Sequence, residues 1–346
     1  MNKLKLVENT KKENLIRTSE YTKQQIMEKK DLRIIFMGTP EFAVQTLKEL
    51  VEKEYNVVAV VTQPDKPVGR HGSILRAPAV KEYALEHNLP VLQPEKMKDE
   101  DFIKELRSYN ADLQVVVAFR MLPEVVWSMP KYGTFNVHAA LLPQYRGAAP
   151  INWAIINGEK RTGVTTFFLD HDIDTGRVIM QHPFDIPEDA DVEYVYDGLM
   201  TLGAQAAIET IDMIIEKEGS LNTIPQEKML TDSEDLKNAP KIFKETCHID
   251  WSQPTKNIYN LIRGLSPIPG AWGTIILPNG KEMEVKVYKT CLADITPQPD
   301  MPSGTVMKLN KKMYIACGDG FLEAISIQPT GKKKMDALAF INGYLN

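Results

Sequence analysis

Residues 32–41 have the sequence LRIIFMGTPE, an apolar run followed by a glycine and a helix start. The apolar run at 32–37 predicts a buried strand. Thr39 is a favourable N-cap residue, Pro40 suits the first helical position, and Glu41 is favoured near the positive end of a helix dipole. The stretch therefore predicts a strand, a turn and a helix, the first unit of a sheet in which strands and helices alternate.

The same alternation continues to about residue 220. Continuously apolar segments such as 113–118 are typical of central parallel strands. We therefore predict an α/β fold, with a Rossmann-like, doubly wound, mostly parallel sheet. The other predicted strands lie at 57–62, 90–92, 134–137, 163–169 and 178–186, the helices at 40–53, 79–87, 99–108 and 193–218, and a long loop at 63–78.

The composition and the predicted secondary structure of the sequence change after residue 220. Residues 221–240 mix Pro, Asp, Ser and Asn, which is typical of a linker, and a short helix is predicted at 257–264. Five short predicted strands then follow with turn signals between them, which favours a smaller C-terminal OB-like β-barrel domain. We expect a disordered N-terminal extension at 1–30, a catalytic domain at 31–220, a linker at 221–240 and the barrel domain at 241–346. The predicted barrel strands lie at 273–277, 282–288, 304–308, 313–316 and 321–327.

The charge of the chain divides between these parts. The net charge of the 346 residues is −5, which taken alone argues against a nucleic-acid partner. Residues 237–346, however, contain 14 Lys and Arg against 9 Asp and Glu, a balance of +5, whereas the rest of the chain has −10. A basic OB-like domain suits a nucleic-acid partner, although a merely solvated basic face has the same composition.

Cysteine content and hydropathy predict a location. Three cysteines, odd in number and far apart, do not suit a disulfide framework and favour a reducing cytoplasm. No uninterrupted apolar stretch approaches the roughly 18 residues that a membrane helix needs, so we expect no membrane partner.

The sequence motifs that bind several classes of cofactor are absent or incomplete, which disfavours those cofactors. Only Gly38 is present where a dinucleotide fingerprint requires G-x-G-x-x-G, and no phosphate-binding P-loop motif occurs. Residues 170–176 (DHDIDTG) are similar to a calcium loop, but Thr175 and Gln181 occupy the positions that require Gly and Glu. We expect no metal site.

Asn136 and His138 are the strongest catalytic candidates that the residues alone provide. They end a predicted strand and, being two residues apart, point to the same side of it. An amide and an imidazolium are both suitable donors to a developing oxyanion. A lone histidine at a strand end is more often structural, but the paired Asn and the adjacent loop 142–150 favour a catalytic role. The sequence alone does not indicate which aspartate approaches His138.

From about residue 32 onwards the chain resembles the methionyl-tRNA formyltransferase family, which implies that the Rossmann-like, doubly wound sheet is of the formyltransferase type. The Asn-x-His and Asp-Thr-Gly motifs mark the wider group of 10-formyltetrahydrofolate-dependent formyltransferases, which also act on small amines. The Pro-Val-Gly-Arg loop at 67–70 and the Ile-Asp-Trp and Arg-Gly-Leu segments at the junction favour the tRNA enzymes. The matching segments are 38–42 (GTPEF), 63–70 (QPDKPVGR), 136–143 (NVHAALLP), 145–150 (YRGAAP), 174–176 (DTG), 249–251 (IDW), 262–265 (IRGL) and 269–271 (PGA).

The resemblance implies a role for each matched residue. The implied catalytic residues are Asn136, His138 and Asp174. The implied binding residues for 10-formyltetrahydrofolate are Phe119, Arg120, Leu122, Ala140, Leu141, Leu142 and Pro143. The residues expected to contact initiator methionyl-tRNA are Arg70, Arg76, Arg146, Lys332 and Lys333.

Three departures from the family pattern bear on these roles. Ala140 replaces the usual Ser, which removes one hydroxyl near the folate. The predicted folate hinge is one residue shorter than usual and contains Arg120. The tRNA loop has His-Gly-Ser at 71–73 where many members have lysines.

The expected function is transfer of a formyl group from 10-formyltetrahydrofolate to the α-amine of initiator methionyl-tRNA by a monomeric cytoplasmic enzyme. Two alternatives remain open from the residues. A formyltransferase for a small amine would be active without the C-terminal domain. A non-enzymatic folate- or RNA-binding protein would keep its biological role after His138→Ala.

Overall fold

The computed structural model describes residues 27–68, 74–230, 235–295 and 301–345. Most of the predicted N-terminal extension, as well as Arg70, lies outside these residues. The strands described before residue 240 are β1 (Ile34–Gly38), β2 (Val57–Val61), β3 (Lys66–Val68), β4 (Ile74–Arg76), β5 (Val91–Leu92), β6 (Leu113–Val117), β7 (Thr134–His138), β8 (Arg146–Gly147), β9 (Arg161–Phe168), β10 (Val178–Asp185) and β11 (Asn238–Ala239). The helices described there are α1 (Glu41–Glu52), α2 (Ala79–Glu86), α3 (Glu100–Ser108), α4 (Glu124–Trp127), α5 (Pro150–Ile156) and α6 (Val192–Glu216).

Among the described residues, seven strands form one twisted sheet in the order β10-β9-β7-β6-β1-β2-β5. The five strands from β7 to β5 are parallel, and β9 and β10 are antiparallel to their neighbours. The chain runs from β1 to one side through β2 and β5, and then to the other side through β6 and β7. The strand order therefore reverses beside β1, where ligands of doubly wound sheets usually bind. The predicted doubly wound fold is confirmed.

Burial explains the central strands. Every residue of β1 and β6 is buried, as parallel strands covered by helices on both faces require. The Thr134 hydroxyl lies between the side-chain oxygen of the buried Gln114 (2.9 Å) and Trp127 O (2.7 Å), and its one proton is available to either acceptor. Gly38 ends β1 where a Cβ atom would lie 2.6 Å from Ala43 Cβ, so the first turn requires glycine for close packing with α1.

The second domain is built from antiparallel strands. Their order is β12-β13-β16-β15-β14, and β17 adds to β16. A parallel bridge between Ile276 and Thr305 connects the first strand to the start of β14, which closes the predicted small barrel. Its elements are α7 (Thr255–Leu265), β12 (Ala271–Ile276), β13 (Glu282–Ala293), β14 (Val306–Leu309), β15 (Lys312–Ala316), β16 (Phe321–Pro329), β17 (Met335–Asp336) and α8 (Ala337–Tyr344).

The two domains touch through α5 and α7. Asn152 Nδ2 donates a hydrogen bond to Gly264 O (2.8 Å), and a Cβ atom at Gly264 would lie 2.7 Å from Ile156 Cγ1. Arg263 Nη1 donates to Ala190 O (2.9 Å) across the same boundary. The junction is therefore packed through a helix that directly follows the 145–150 motif.

The structure corrects several local predictions. Thr39 does not cap α1, because the cap position is Pro40 and no side chain caps the helix. The loop predicted at 63–78 contains the hairpin formed by β3 and β4, which is held by backbone pairing that the irregular sequence does not reveal. The linker predicted at 221–240 is partly paired with the first domain, through Ile224 and through β11. Helices α4, α5 and α8 are too short or too weakly amphipathic to have been predicted.

Candidate active site

A cavity of about 650 Å³ opens at the carboxyl ends of β1, β6 and β7. This is the edge at which the strand order reverses, and its size is within the range of small-ligand pockets. Both polar and apolar groups line it. They include Pro40 after β1, Phe119 after β6, Asn136 and His138 on β7, and Asp174.

His138 is buried, and the structure defines the role of each ring nitrogen. Its Nε2 atom lies 2.9 Å from Tyr145 O, a carbonyl that can only accept a hydrogen bond. Nε2 therefore carries a proton and donates to it. Nδ1, the nitrogen left for chemistry, lies 3.8 Å from Asp174 Oδ2. The imidazole is thus oriented by the main chain, with its second nitrogen beside a carboxylate.

Asp174 is the aspartate that approaches His138, a pairing that the residues alone leave open. Its Oδ2 atom accepts a hydrogen bond from Gly147 N (2.9 Å), and its side chain is 13% exposed. Its φ angle of +55° is in the left-handed region that non-glycine residues rarely adopt. A carboxylate held in this way can accept a proton beside the imidazole.

Asn136 completes the cluster, because its side chain lines the same cavity. Its Oδ1 atom is buried and has no hydrogen-bond partner among the described residues. Buried amide oxygens are almost always paired, so an unpaired one beside a cavity is available to a ligand or a water molecule there. The structure therefore brings Asn136, His138 and Asp174 together in one cavity.

The predicted folate residues divide into two groups. Phe119, Arg120 and Leu122 line the cavity after β6. The Arg120 guanidinium donates to the carbonyls of Pro94 and Glu95, and burial lowers its pKa. Arg120 thus anchors this cavity wall to a neighbouring loop.

Residues 140–143 do not line the cavity. The Ala140 side chain is fully buried, so the missing hydroxyl at this position would not face a ligand here. Thr165 Oγ1 donates to Ala140 O (2.6 Å) and accepts from Leu142 N (3.0 Å). Gln181 Nε2 donates to Leu142 O (2.7 Å). The main chain of the segment is therefore held against β9 and β10, and its expected role in binding the folate stays a prediction.

The predicted tRNA residues also divide. Arg76, Lys332 and Lys333 are exposed and can contact a phosphate. Arg146 instead donates from Nε and Nη2 to Gln226 Oε1, at 3.0 and 2.7 Å. The Arg146 guanidinium is therefore bound to the segment at 221–240, and its expected contact with tRNA stays a prediction.

Gln226 and Tyr145 are site residues that sequence reasoning missed. Gln226 lies in the segment predicted as a linker, although its side chain contacts Asp174. The burial of Gln226 gives no sequence signal, since a single glutamine in a polar segment is usually exposed. Tyr145 acts through its carbonyl, which no residue-type pattern can reveal.

Two further features concern the described residues only. No group of three or more His, Cys, Asp or Glu side chains in them is arranged to hold a metal ion. One described helix, α6, is long and apolar enough to cross a membrane, but half of its apolar stretch is buried inside the fold. It packs against α1 and β9, which accounts for its apolar composition.

Two family models match the chain. The model described as formyl transferase matches residues 32–211, and the model of the formyl transferase C-terminal domain matches residues 241–345. Three similar curated proteins carry the name methionyl-tRNA formyltransferase. The protein from Parabacteroides distasonis is 56% identical over 92% of this chain and 97% of its own length, and that from Bacteroides fragilis is 54% identical over the same shares. The protein from Flavobacterium johnsoniae is 49% identical over 90% of this chain and 96% of its own.

Solved structures share the fold at lower identity. HypX from Aquifex aeolicus in complex with tetrahydrofolic acid has a TM-score of 0.59 at 20% identity, covering 91% of this chain and 48% of that one. WlaRD, a sugar 3N-formyl transferase crystallised with dTDP and 5-N-formyl-THF, has a TM-score of 0.59 at 21% identity, covering 87% and 99%. At these identities the likeness extends to the fold alone.

Proposed function

The chain belongs to the methionyl-tRNA formyltransferase family, and on that premise we propose that Asn136, His138 and Asp174 carry out its reaction. The enzyme formylates initiator methionyl-tRNA, using a folate formyl donor. We assign 10-formyltetrahydrofolate as that donor. The observation that carries the proposal is the convergence of an unpaired amide, an oriented imidazole and a carboxylate in one cavity.

The cavity fits a folate. Its volume of about 650 Å³ suits a ligand of that size, and Phe119 and Leu122 supply aromatic and apolar surface. The HypX and WlaRD structures, which share this fold, were solved with tetrahydrofolate and a formyl-tetrahydrofolate. A bound donor supplies an already activated one-carbon group, so the protein needs only to orient the reactants and to move protons.

Asn136 and His138 stabilise the charge that develops during transfer. The amine of methionyl-tRNA forms a bond to the formyl carbon, and the electron pair of the carbonyl moves to its oxygen. The Asn136 amide and a protonated His138 Nδ1 are the donors available to that oxygen. Because Nε2 is committed to Tyr145 O, only the imidazolium form can donate from Nδ1.

Asp174 moves the proton. Bond formation leaves the attacking nitrogen with a proton that it must lose, and the carboxylate beside His138 accepts it. As the bond from the formyl carbon to N10 breaks, that proton is returned to N10. Asp174 and His138 thus act as one proton-transfer unit, since Nδ1 and Oδ2 lie 3.8 Å apart.

We propose that the tRNA is bound mainly through its phosphates. The second domain carries the positive balance of charge, and Lys332 and Lys333 are exposed on it. Arg76 is exposed on the hairpin of the first domain. Phosphate contacts give affinity that falls with salt, but they provide little sequence discrimination. A cytoplasmic location and a monomeric state remain predictions from the sequence.

A formylation assay with three acceptors tests the proposed substrate. Charged initiator tRNA, charged elongator methionine tRNA and free methionine would each be incubated with 10-formyltetrahydrofolate. We expect efficient transfer to the initiator tRNA and far less to the other two. Equal rates with free methionine would contradict the proposal, because no tRNA contact would then be needed.

A further inference from the structure

The segment between the two domains contacts both members of the proposed catalytic pair. We propose that Gln226 and Lys237, which belong to this segment, are positioning residues that set the geometry of Asp174 and His138. The inference rests on the proposed catalytic roles of those two side chains. It is carried by two sets of hydrogen bonds that reach the site from the same segment.

Gln226 holds Asp174. Its side chain is 1% exposed, and its Nε2 atom donates to the carbonyls of both Asp174 and Gly176, each at 2.8 Å. Its Oε1 atom accepts two hydrogen bonds from the Arg146 guanidinium. Both ends of the amide are therefore occupied. Since Asp174 has a left-handed backbone (φ +55°), bonds to the carbonyls around it maintain an unfavourable conformation that aims its carboxylate.

Lys237 holds the carbonyl that orients His138. That carbonyl belongs to Tyr145, which also has a left-handed backbone (φ +61°). Tyr145 N donates to Lys237 O (2.6 Å), and the Tyr145 hydroxyl donates to Glu159 Oε1 (2.5 Å). The Lys237 ammonium lies 2.6 Å from the same Glu159 oxygen. Burial, together with this hydrogen bond, raises the pKa of the Tyr145 phenol, so it remains a proton donor to Glu159.

A short parallel pairing connects the two sets of contacts. Strand β11 (Asn238–Ala239) pairs with β8 (Arg146–Gly147), and Gly147 N donates to Asp174 Oδ2. Residues 237–239 of the interdomain segment therefore pair with residues 145–147, and Gln226 of the same segment contacts Arg146. Because the segment continues into the second domain, the separation of His138 from Asp174 depends on where that segment lies. A displacement of about 1 Å in such a site can lower the rate about 100-fold.

Gln226→Glu is the sharpest test. The carboxylate keeps the size of the side chain and can still accept from Arg146, but it has no N–H to donate to Asp174 O and Gly176 O. We expect kcat for formylation of methionyl-tRNA to fall by about 10- to 100-fold, KM for the tRNA to stay nearly unchanged, and the pH profile of kcat to shift. Gln205→Glu makes the same substitution at an exposed position of α6, where the amide donates to Glu209 Oε1 (2.7 Å) away from the cavity, and should leave kcat and its pH profile unchanged.

Substitutions at Lys237 provide an independent test if Gln226→Glu folds poorly. Lys237→Met removes the ion pair with Glu159 and should lower kcat, whereas Lys237→Arg keeps the charge and should restore it. A folded Gln226→Glu enzyme with wild-type kcat and pH profile would overturn the role of Gln226. Equal kcat for Lys237→Met and wild type would overturn that of Lys237. Full activity of His138→Ala would instead overturn the proposed catalytic site, so the two failures are distinguishable.

Discussion

The Nδ1 atom of His138 lies 3.8 Å from the Oδ2 atom of Asp174, although His138 ends strand β7 and Asp174 lies in the loop between β9 and β10. Each side chain is hydrogen-bonded to the main chain of one short segment, residues 145–147. His138 Nε2 donates to Tyr145 O, and Asp174 Oδ2 accepts from Gly147 N. The main chain at 145–147 thus sets the position of the imidazole and of the carboxylate together.

Asp174→Asn should inactivate the enzyme without unfolding it. The amide oxygen can still accept from Gly147 N, but the group can no longer accept a proton. We expect kcat to fall by about 10²- to 10⁴-fold, the usual contribution of a general acid–base group. Single-turnover formylation measures the loss. Asp185→Asn, at an exposed carboxylate paired with Arg161, is the matched control and should keep full activity. Near-normal turnover by Asp174→Asn would contradict its assignment.

Gly176→Ala should both destabilise the protein and lower its activity. A Cβ atom at Gly176 would lie 1.7 Å from Phe168 O, so the backbone must move and would displace the adjacent Asp174. We expect a loss of about 1–3 kcal/mol in the free energy of unfolding, measured by urea denaturation. Gly343→Ala, on α8 with open space around its Cβ position, should cause no loss. Equal stability of the two variants would refute the close-packing argument.

Thr165→Val should weaken the support behind His138. The Thr165 hydroxyl donates a hydrogen bond to Ala140 O and accepts one from Leu142 N, and the side chain is fully buried. An isosteric valine leaves both main-chain groups without that partner, at a cost of about 1–3 kcal/mol in the free energy of unfolding. Denaturation of Thr165→Val and of the exposed Thr201→Val would be compared, and the latter should stay within about 0.5 kcal/mol of wild type. A loss of similar size in both variants would mean that burial of the hydroxyl is unimportant.

Replacing Lys332 and Lys333 together by alanine should raise KM for methionyl-tRNA and leave KM for the folate unchanged. The slope of log KM against log salt should also decrease, by about one for each lysine that contacts a phosphate. Lys104→Ala, an exposed lysine on α3, is the control and should change neither quantity. An unchanged salt slope in the double variant would place the tRNA elsewhere on the protein.

The sequence predicted the sheet well, because the apolar runs at β1 and β6 are continuous and glycine, proline or polar segments separate them. It also predicted the positions of Asn136 and His138, since residues two apart on a strand must face the same way. It could not predict that Arg146 is bound inside the site, because its partner Gln226 lies 80 residues away in a polar segment. Nor could it reveal the role of Tyr145, which depends on a main-chain carbonyl that any residue type would supply.

Formyl transfer by His138→Ala tests the central claim most directly. Wild-type protein and the variant would be given labelled 10-formyltetrahydrofolate and methionyl initiator tRNA, with circular dichroism to establish that both are folded. Loss of an oxyanion donor costs about 10²- to 10³-fold in rate, and loss of the proton-transfer unit with it should lower kcat further. We predict a variant that is folded and binds tRNA but is at least about 10³-fold slower. A folded His138→Ala enzyme that formylates methionyl-tRNA at the wild-type rate would contradict the account.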